Sequence, residues 1–153
     1  MDEKTATISF VLKNSQILLA MKKRGFGEGW WNGYGGKVES GEEVEHAAVR
    51  ETEEEIKIVP TKIAEKGRID FYIKDENRHI RCHVFVITDY TGEPAETEEM
   101  RPQWFYFNEI PFDKMWIADR YWLPYLIEGK KFKAVFEMQD KKTLLTHKID
   151  EVQ

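Results

Sequence analysis

The amino-acid sequence predicts an α/β protein built as an α/β/α sandwich, with a mixed β-sheet between two helices. Runs rich in β-branched and aromatic residues recur along the chain, as in Thr5 to Leu12, Lys62 to Ile73 and Phe132 to Met138. Helical spacing of apolar residues is confined to two segments, 42–56 and 119–127. With 153 residues, 41% of them apolar and 13% aromatic, the chain has the size of one domain that can bury its own core.

Thr5 to Leu12 and Gln16 to Met21 flank Lys13-Asn14-Ser15 and read as a hairpin. Between Gly25 and Gly41 stand seven of the ten glycines, with Trp30, Trp31 and Tyr34 among them. A backbone that turns this tightly makes a loop suited to carry function. Ser40 and Glu43 have capping-box spacing, and Val44, Ala47, Ala48 and Glu51 to Ile56 continue at helical spacing, so a helix is expected over 42–56 and Pro60 closes the region. Lys62 to Ile73 and Ile80 to Thr88 are strands joined by the turn Lys74 to Arg78. In the second, Cys82, Val84 and Val86 share one face and His83 and Phe85 the other. Thr91 to Met100 is an acidic loop, and Gln103 to Phe107 a short aromatic strand. Asp119 to Ile127 is the second helix despite Pro124, with Tyr121, Trp122, Tyr125 and Leu126 as its packed face. Phe132 to Met138 and Thr143 to Ile149 close the chain as a hairpin across residues 139–142.

The net charge of −5 argues against binding long nucleic acid, whose affinity comes mainly from lysine and arginine on phosphates. A phosphate-bearing ligand then needs a metal as go-between. Cys82, the one cysteine, cannot form an intrachain disulfide and reads as a core or strand residue. The opening Met1-Asp2-Glu3-Lys4 lacks a targeting pattern, and no apolar run reaches about 18 residues. A cytoplasmic protein without membrane contact is the expectation.

Glu51, Glu54 and Glu55 stand at i, i+3 and i+4, on one helix face about 5–6 Å apart. In a sheltered cleft such carboxylates repel by roughly 3 kcal/mol at an effective dielectric near 20, and a divalent ion would relieve them. On a solvated helix the cost is a few tenths of a kcal/mol, so such a run taken alone is more often a wet surface face. Upstream lie Gly35-Gly36-Lys37, Glu42 and Arg50. Together these residues resemble the Nudix box: Gly36, Glu42, Arg50, Glu51, Glu54, Glu55 and Ile58 fall on its fixed positions. Two positions depart. Thr52 replaces an apolar residue and still offers a methyl group to pack. Lys57 replaces the glycine that ends the helix, so a different stop, at Pro60, is expected.

The resemblance implies a Nudix fold and hydrolysis of a nucleoside diphosphate linked to a group X, with Mg2+ as cofactor and Mn2+ as a possible substitute. It implies metal ligation by Gly36, Glu51, Glu54 and Glu55, with one glutamate deprotonating water; which one stays open. All-oxygen ligands suit magnesium, which can activate water and offset phosphate charge. Arg50 is expected to orient a glutamate, with Glu54 in reach.

Met21 to Gly27, Trp31-Asn32-Gly33, Glu99 to Pro102, Trp104-Phe105 and Ile110 to Phe112 further resemble the animal-type MutT branch of the family. The likeness runs over nearly the whole chain. It implies hydrolysis of oxidised purine nucleoside triphosphates to monophosphate and pyrophosphate, a sanitation of the nucleotide pool by a monomeric enzyme. The matching base-pocket positions are Lys22, Phe26, Asn32, Phe71, Trp116 and Asp119, with Thr7 nearby, and Glu99 matches an acidic residue beside the metals. Each has a plainer role available: Phe71 and Trp116 as core, Asn32 as a positive-φ turn residue, Asp119 as a helix N-cap. Where the branch carries two adjacent aspartates, this chain has Ala118-Asp119, and a narrowed or altered purine preference is expected. The alternatives are a Nudix hydrolase with another X, a non-catalytic nucleotide-binding module, which would be expected to lack some of these glutamates, and a structural calcium site, which no EF-hand spacing supports.

Overall fold

The computed structural model describes residues 1–25 and 27–153; Phe26, one of the base-pocket candidates, lies outside the described residues. Strands β1 (Asp2–Lys13) and β2 (Gln16–Lys22) form the first hairpin. Its turn residues Asn14 and Ser15 both take positive φ, 55° and 62°, the geometry of a two-residue hairpin. Then follow β3 (Trp31–Asn32), α1 (Val44–Ile56), β4 (Val59–Ile73), β5 (Arg78–Thr91), β6 (Met100–Tyr106), α2 (Asp119–Ile127), β7 (Lys131–Asp140) and β8 (Thr143–Val152). The sheet runs β3-β2-β1-β5-β4-β7-β8, with β6 on the other edge of β2. The β1–β5 and β4–β7 pairs are parallel and the remaining pairs antiparallel, a mixed sheet as expected.

The two faces of the sheet are read from alternation along β1 and β2. Phe10, Ile17 and Leu19 join Ile69, Phe71, Val84, Trp122, Leu123, Phe132 and Phe136 in the core beneath α2. Val11, Leu18 and Ala20, their sequence neighbours, turn to Tyr34, Ile56, Ile58 and Ile87 beside α1. Cys82, Val84 and Val86 all join the α2-side core, and Cys82 is a free, buried thiol.

Several local expectations are corrected. The first helix begins at Val44, with Glu43 as its N-cap making no side-chain capping bond, so the Ser40–Glu43 capping box does not form. Instead the Glu42 carboxylate accepts the Glu39 N–H at 3.0 Å. Pro60 does not stop the helix; it lies inside β4. Lys57 itself takes the left-handed conformation a glycine would supply, φ 66° and ψ 26°, and its N–H bonds the Glu53 carbonyl. Thr52 is fully buried and its hydroxyl donates to the Ala48 carbonyl at 2.8 Å, which lets a polar residue replace an apolar one. The packed face of α2 is Trp122, Leu123 and Leu126, while Tyr121 is exposed, because the helix lies one position round from the expected stripe.

Candidate active site

The glycine-rich loop lies along β1. Thr7 N–H donates to the Gly36 carbonyl at 2.9 Å, and Ser9 and Tyr34 exchange backbone bonds at 2.8 and 3.1 Å. The approach is so close that a Cβ on Gly35 would sit 1.9 Å from the Thr7 carbonyl oxygen. At Gly36 the neighbour is different: a Cβ would stand 2.7 Å from the carboxyl carbon of Glu51. One glycine seats the loop on the sheet, and the next makes room for an acidic side chain.

Arg50 organises the first turns of the helix. Its Nε and Nη2 donate to the two oxygens of Glu42 at 2.8 and 3.0 Å, a two-point bond, and its Nη1 donates to Glu51 at 2.9 Å. Glu54, the partner expected from spacing, is 3.4 Å away and largely exposed. Glu42 is thus the residue whose part the helix spacing missed; it lies outside the helix, and only the folded loop brings it back. The Arg50 guanidinium holds its carboxyl down at about 2. Glu55 is 7% exposed and accepts the Gly35 N–H at 2.7 Å. Burial pushes its carboxyl up to about 8, outweighing the Gly35 hydrogen bond. Burial also raises Glu51, against the opposing pull of Arg50. The last carbonyls of α1 are bonded by the acidic loop, Thr97 Oγ1 to Glu55 O at 2.9 Å and Ala95 N–H to Ile56 O at 3.0 Å.

Glu99 does not join these glutamates. Arg24 holds it at 2.6 and 3.1 Å, which lowers its carboxyl. Among the described residues no three acidic, histidine or cysteine side chains converge into a ready-made metal cage. The expected metal group Gly36, Glu51, Glu54, Glu55 and Glu99 is therefore brought near but not closed, because Arg50, Gly35 and Arg24 each take a carboxylate. The residues nonetheless fit a hard divalent cation. Their donors are all oxygen, Glu51 and Glu55 are desolvated carboxylates, and the Glu51 carboxylate occupies room that only glycine at position 36 leaves open.

From Glu55 and Gly36 a cleft of about 200 Å³ runs to α2. It is lined by Thr7, Lys22, Asn32, Phe71, Trp116 and Asp119, so every described base-pocket candidate is brought together. Phe71 meets Trp116 edge-on at 5.7 Å and stacks on Phe136 at 5.8 Å, so Phe71 is core and wall at once. Asn32 is a strand residue without positive φ; its Oδ1 accepts the Gly33 N–H at 2.9 Å. Asp119 is the first residue of α2, not its cap, and its Oδ1 accepts the Trp122 indole N–H at 3.0 Å. Its Oδ2 and the Thr7 hydroxyl are buried with no hydrogen-bond partner among the described residues. Buried polar atoms are nearly always paired, so two orphans lining one cleft point to a ligand that completes them. Burial lifts the Asp119 carboxyl to about 7. Ala118 is fully buried in the α2-side core. Trp30 and Met100, which sequence reading passed over, also line the cleft.

A glycine loop leading into a carboxylate helix, open to an aromatic cleft with unpaired polar atoms, fits a hydrolase that takes up its ligand in the cleft. The NUDIX domain model matches residues 3–126, and the chain belongs to the Nudix family of hydrolases, which generally use a divalent metal. It is 43% identical over 150 residues to the oxidized purine nucleoside triphosphate hydrolase of Danio rerio, covering 98% of this chain and 96% of that one. The Mus musculus protein of the same name is 43% identical over 146 residues, 95% and 94% of the two chains. A crystal structure of a MutT protein from Bacillus halodurans matches with a TM-score of 0.85 at 26% identity, over 96% of this chain and 97% of that one.

Proposed function

We propose that this chain hydrolyses oxidised purine nucleoside triphosphates to the monophosphate and pyrophosphate, with magnesium as its metal and manganese as a substitute. The observation that carries the reading is the pair of orphaned oxygens, Thr7 Oγ1 and Asp119 Oδ2, in an aromatic cleft that opens directly on Glu55. An aromatic wall with a few placed polar groups suits a purine, whose ring stacks while its edge is read by hydrogen bonds. The likeness to the Danio rerio hydrolase supports the same substrate.

In this reading Gly36, Glu51, Glu54 and Glu55 hold the metal, with Glu99 joining once released from Arg24. The bound ion would neutralise the phosphate oxygens and acidify the attacking water. Glu55, which lines the cleft and is oriented by the Gly35 N–H, would be the carboxylate that takes a proton from the attacking water. Arg50 keeps Glu51 in place, and Glu42 anchors Arg50. At the other end Asp119 and the Asn32 amide read the base edge, Phe71 and Trp116 wall it, and Lys22 and Thr7 close the lining. With Ala118 in place of a second carboxylate, Asp119 works alone, so purine preference is narrowed or altered. We further propose a monomeric, cytoplasmic protein.

The test compares 8-oxo-dGTP, 2-hydroxy-dATP and dGTP with magnesium and resolves the products. Monophosphate plus pyrophosphate, favouring an oxidised purine, is the expected result. Release of single phosphates, or turnover only of another nucleoside diphosphate derivative, would overturn it.

A further inference from the structure

Adjacent tryptophans in the glycine loop have different fates. Trp31 is buried, packed edge-on against Phe105 at 5.0 Å with the Arg101 guanidinium 5.1 Å from its ring. Trp30 is half-buried and lines the cleft beside Lys22, Asn32, Trp116 and Asp119. Its backbone is pinned on both sides: its carbonyl accepts the Lys22 N–H at 3.1 Å, and its N–H donates to Gly27 at 3.0 Å.

The indole is also held from a distant part of the chain. Lys141 and Lys142, at the β7–β8 turn, place their ammonium groups 5.7 and 5.6 Å from the Trp30 ring. Two cations within about 6 Å of one aromatic ring attract it electrostatically. The same turn is tied to the segment carrying Trp116 and Asp119, because Ile117 N–H donates to the Lys141 carbonyl at 2.9 Å. Lys142 N–H in turn bonds the Asp140 carboxylate at 2.9 Å, which shapes the turn. The hairpin tip therefore bridges two stretches that line the cleft, the glycine loop and the start of α2.

We propose that Trp30 is a specificity-determining wall of the base end of the cleft, favouring purines over pyrimidines, and that Lys141 and Lys142 are its positioning residues. This rests on the proposed function above for the ligand class. A purine presents a larger π-face than a pyrimidine, so an added aromatic wall favours the larger ring.

The experiment measures calorimetric binding of 8-oxo-dGMP and dCMP to wild type, Trp30→Ala, Trp30→Phe and the double variant Lys141→Met/Lys142→Met, alone and combined with Trp30→Ala. Trp30→Ala is expected to weaken purine binding about tenfold and pyrimidine binding about twofold or less, with Trp30→Phe restoring most of the loss. The lysine double variant is expected to weaken purine binding about threefold and to add nothing to Trp30→Ala. An unchanged purine-to-pyrimidine ratio in Trp30→Ala, or a wild type that does not bind the purine monophosphate, overturns the inference. A full lysine effect in the Trp30→Ala background overturns the positioning part. Pyrophosphate release is measured separately: a wild type that binds purine through Trp30 yet releases none would sink the proposed reaction and leave this inference standing.

Discussion

The two ends of the cleft are built in opposite ways. At the metal end, Gly35, Gly36, Glu42, Arg50, Glu51 and Glu55 lie within twenty-one residues, and their contacts are between a loop and the helix that follows it. At the proposed base end, Thr7, Asn32, Phe71 and the segment carrying Trp116 and Asp119 come from four separated stretches, brought together by the sheet and the start of α2. The metal end is crowded with charge that is already partnered, whereas the base end keeps two polar atoms unpaired. Local architecture thus serves a conserving task, holding carboxylates against their own repulsion, and long-range architecture serves a selecting one.

The sharpest way to break the contrast is at Glu55. Glu55→Gln removes a proton acceptor while keeping its shape and its bond from Gly35, so kcat should fall about 10³-fold with purine monophosphate affinity unchanged. Steady-state kinetics beside calorimetry checks this; a matching loss of base binding would mean that the two ends are not separable.

Two neighbouring glycines sharpen it next. Gly35→Ala drives a methyl group into the Thr7 carbonyl and should cost about 3 kcal/mol of stability in denaturant unfolding. Gly36→Ala meets the carboxylate end of the Glu51 side chain, which can swing aside where backbone cannot, so its melting temperature should stay close to that of the parent while turnover drops. Equal stability of the two variants would remove the distinction between seating and making room.

At the base end, Asp119→Asn should trade binding for stability. Burial raises the Asp119 carboxyl from 3.8 to about 7, so folding favours its protonated form. That contribution is complete below about 4 and is lost as pH rises through about 7. Asparagine never ionises. Without metal or ligand, the variant should therefore gain about 2 kcal/mol over the parent at pH 8 and little at pH 4, while binding purine more weakly. Unfolding curves at the two pH values decide it; a gain that does not change with pH would place the charge elsewhere.

The smallest effect is expected at the helix end. Lys57→Gly relieves a left-handed conformation in a residue with a side chain and should add about 0.5–1 kcal/mol without altering kinetics. A stability loss would show that the Lys57 side chain contributes something its backbone conceals.

The contrast between the two ends also explains what was legible beforehand. The acidic helix, the glycine loop and the second helix over Asp119–Ile127 were readable because spacing along one element specifies which side chains share a face. The same logic was right that Arg50 reaches glutamates on its own helix, Glu51 and Glu54, but says nothing of Glu42, which a loop folds back onto the guanidinium. It also placed a capping box at Ser40 and a stop at Pro60, where Glu43 caps without a side-chain bond and Lys57 turns the chain in a left-handed conformation.

By itself, the sequence determined the chemistry available: the carboxylates, the loop that approaches them, and through its likeness to the Nudix box the family of the fold. The tertiary structure alone decided which carboxylates are buried and which are held by arginine, that Trp30 faces the cleft while Trp31 faces the core, and that Thr7 and Asp119 keep unpaired oxygens. The reason is that burial and pairing depend on residues distant in the chain, and no local period records who those neighbours will be.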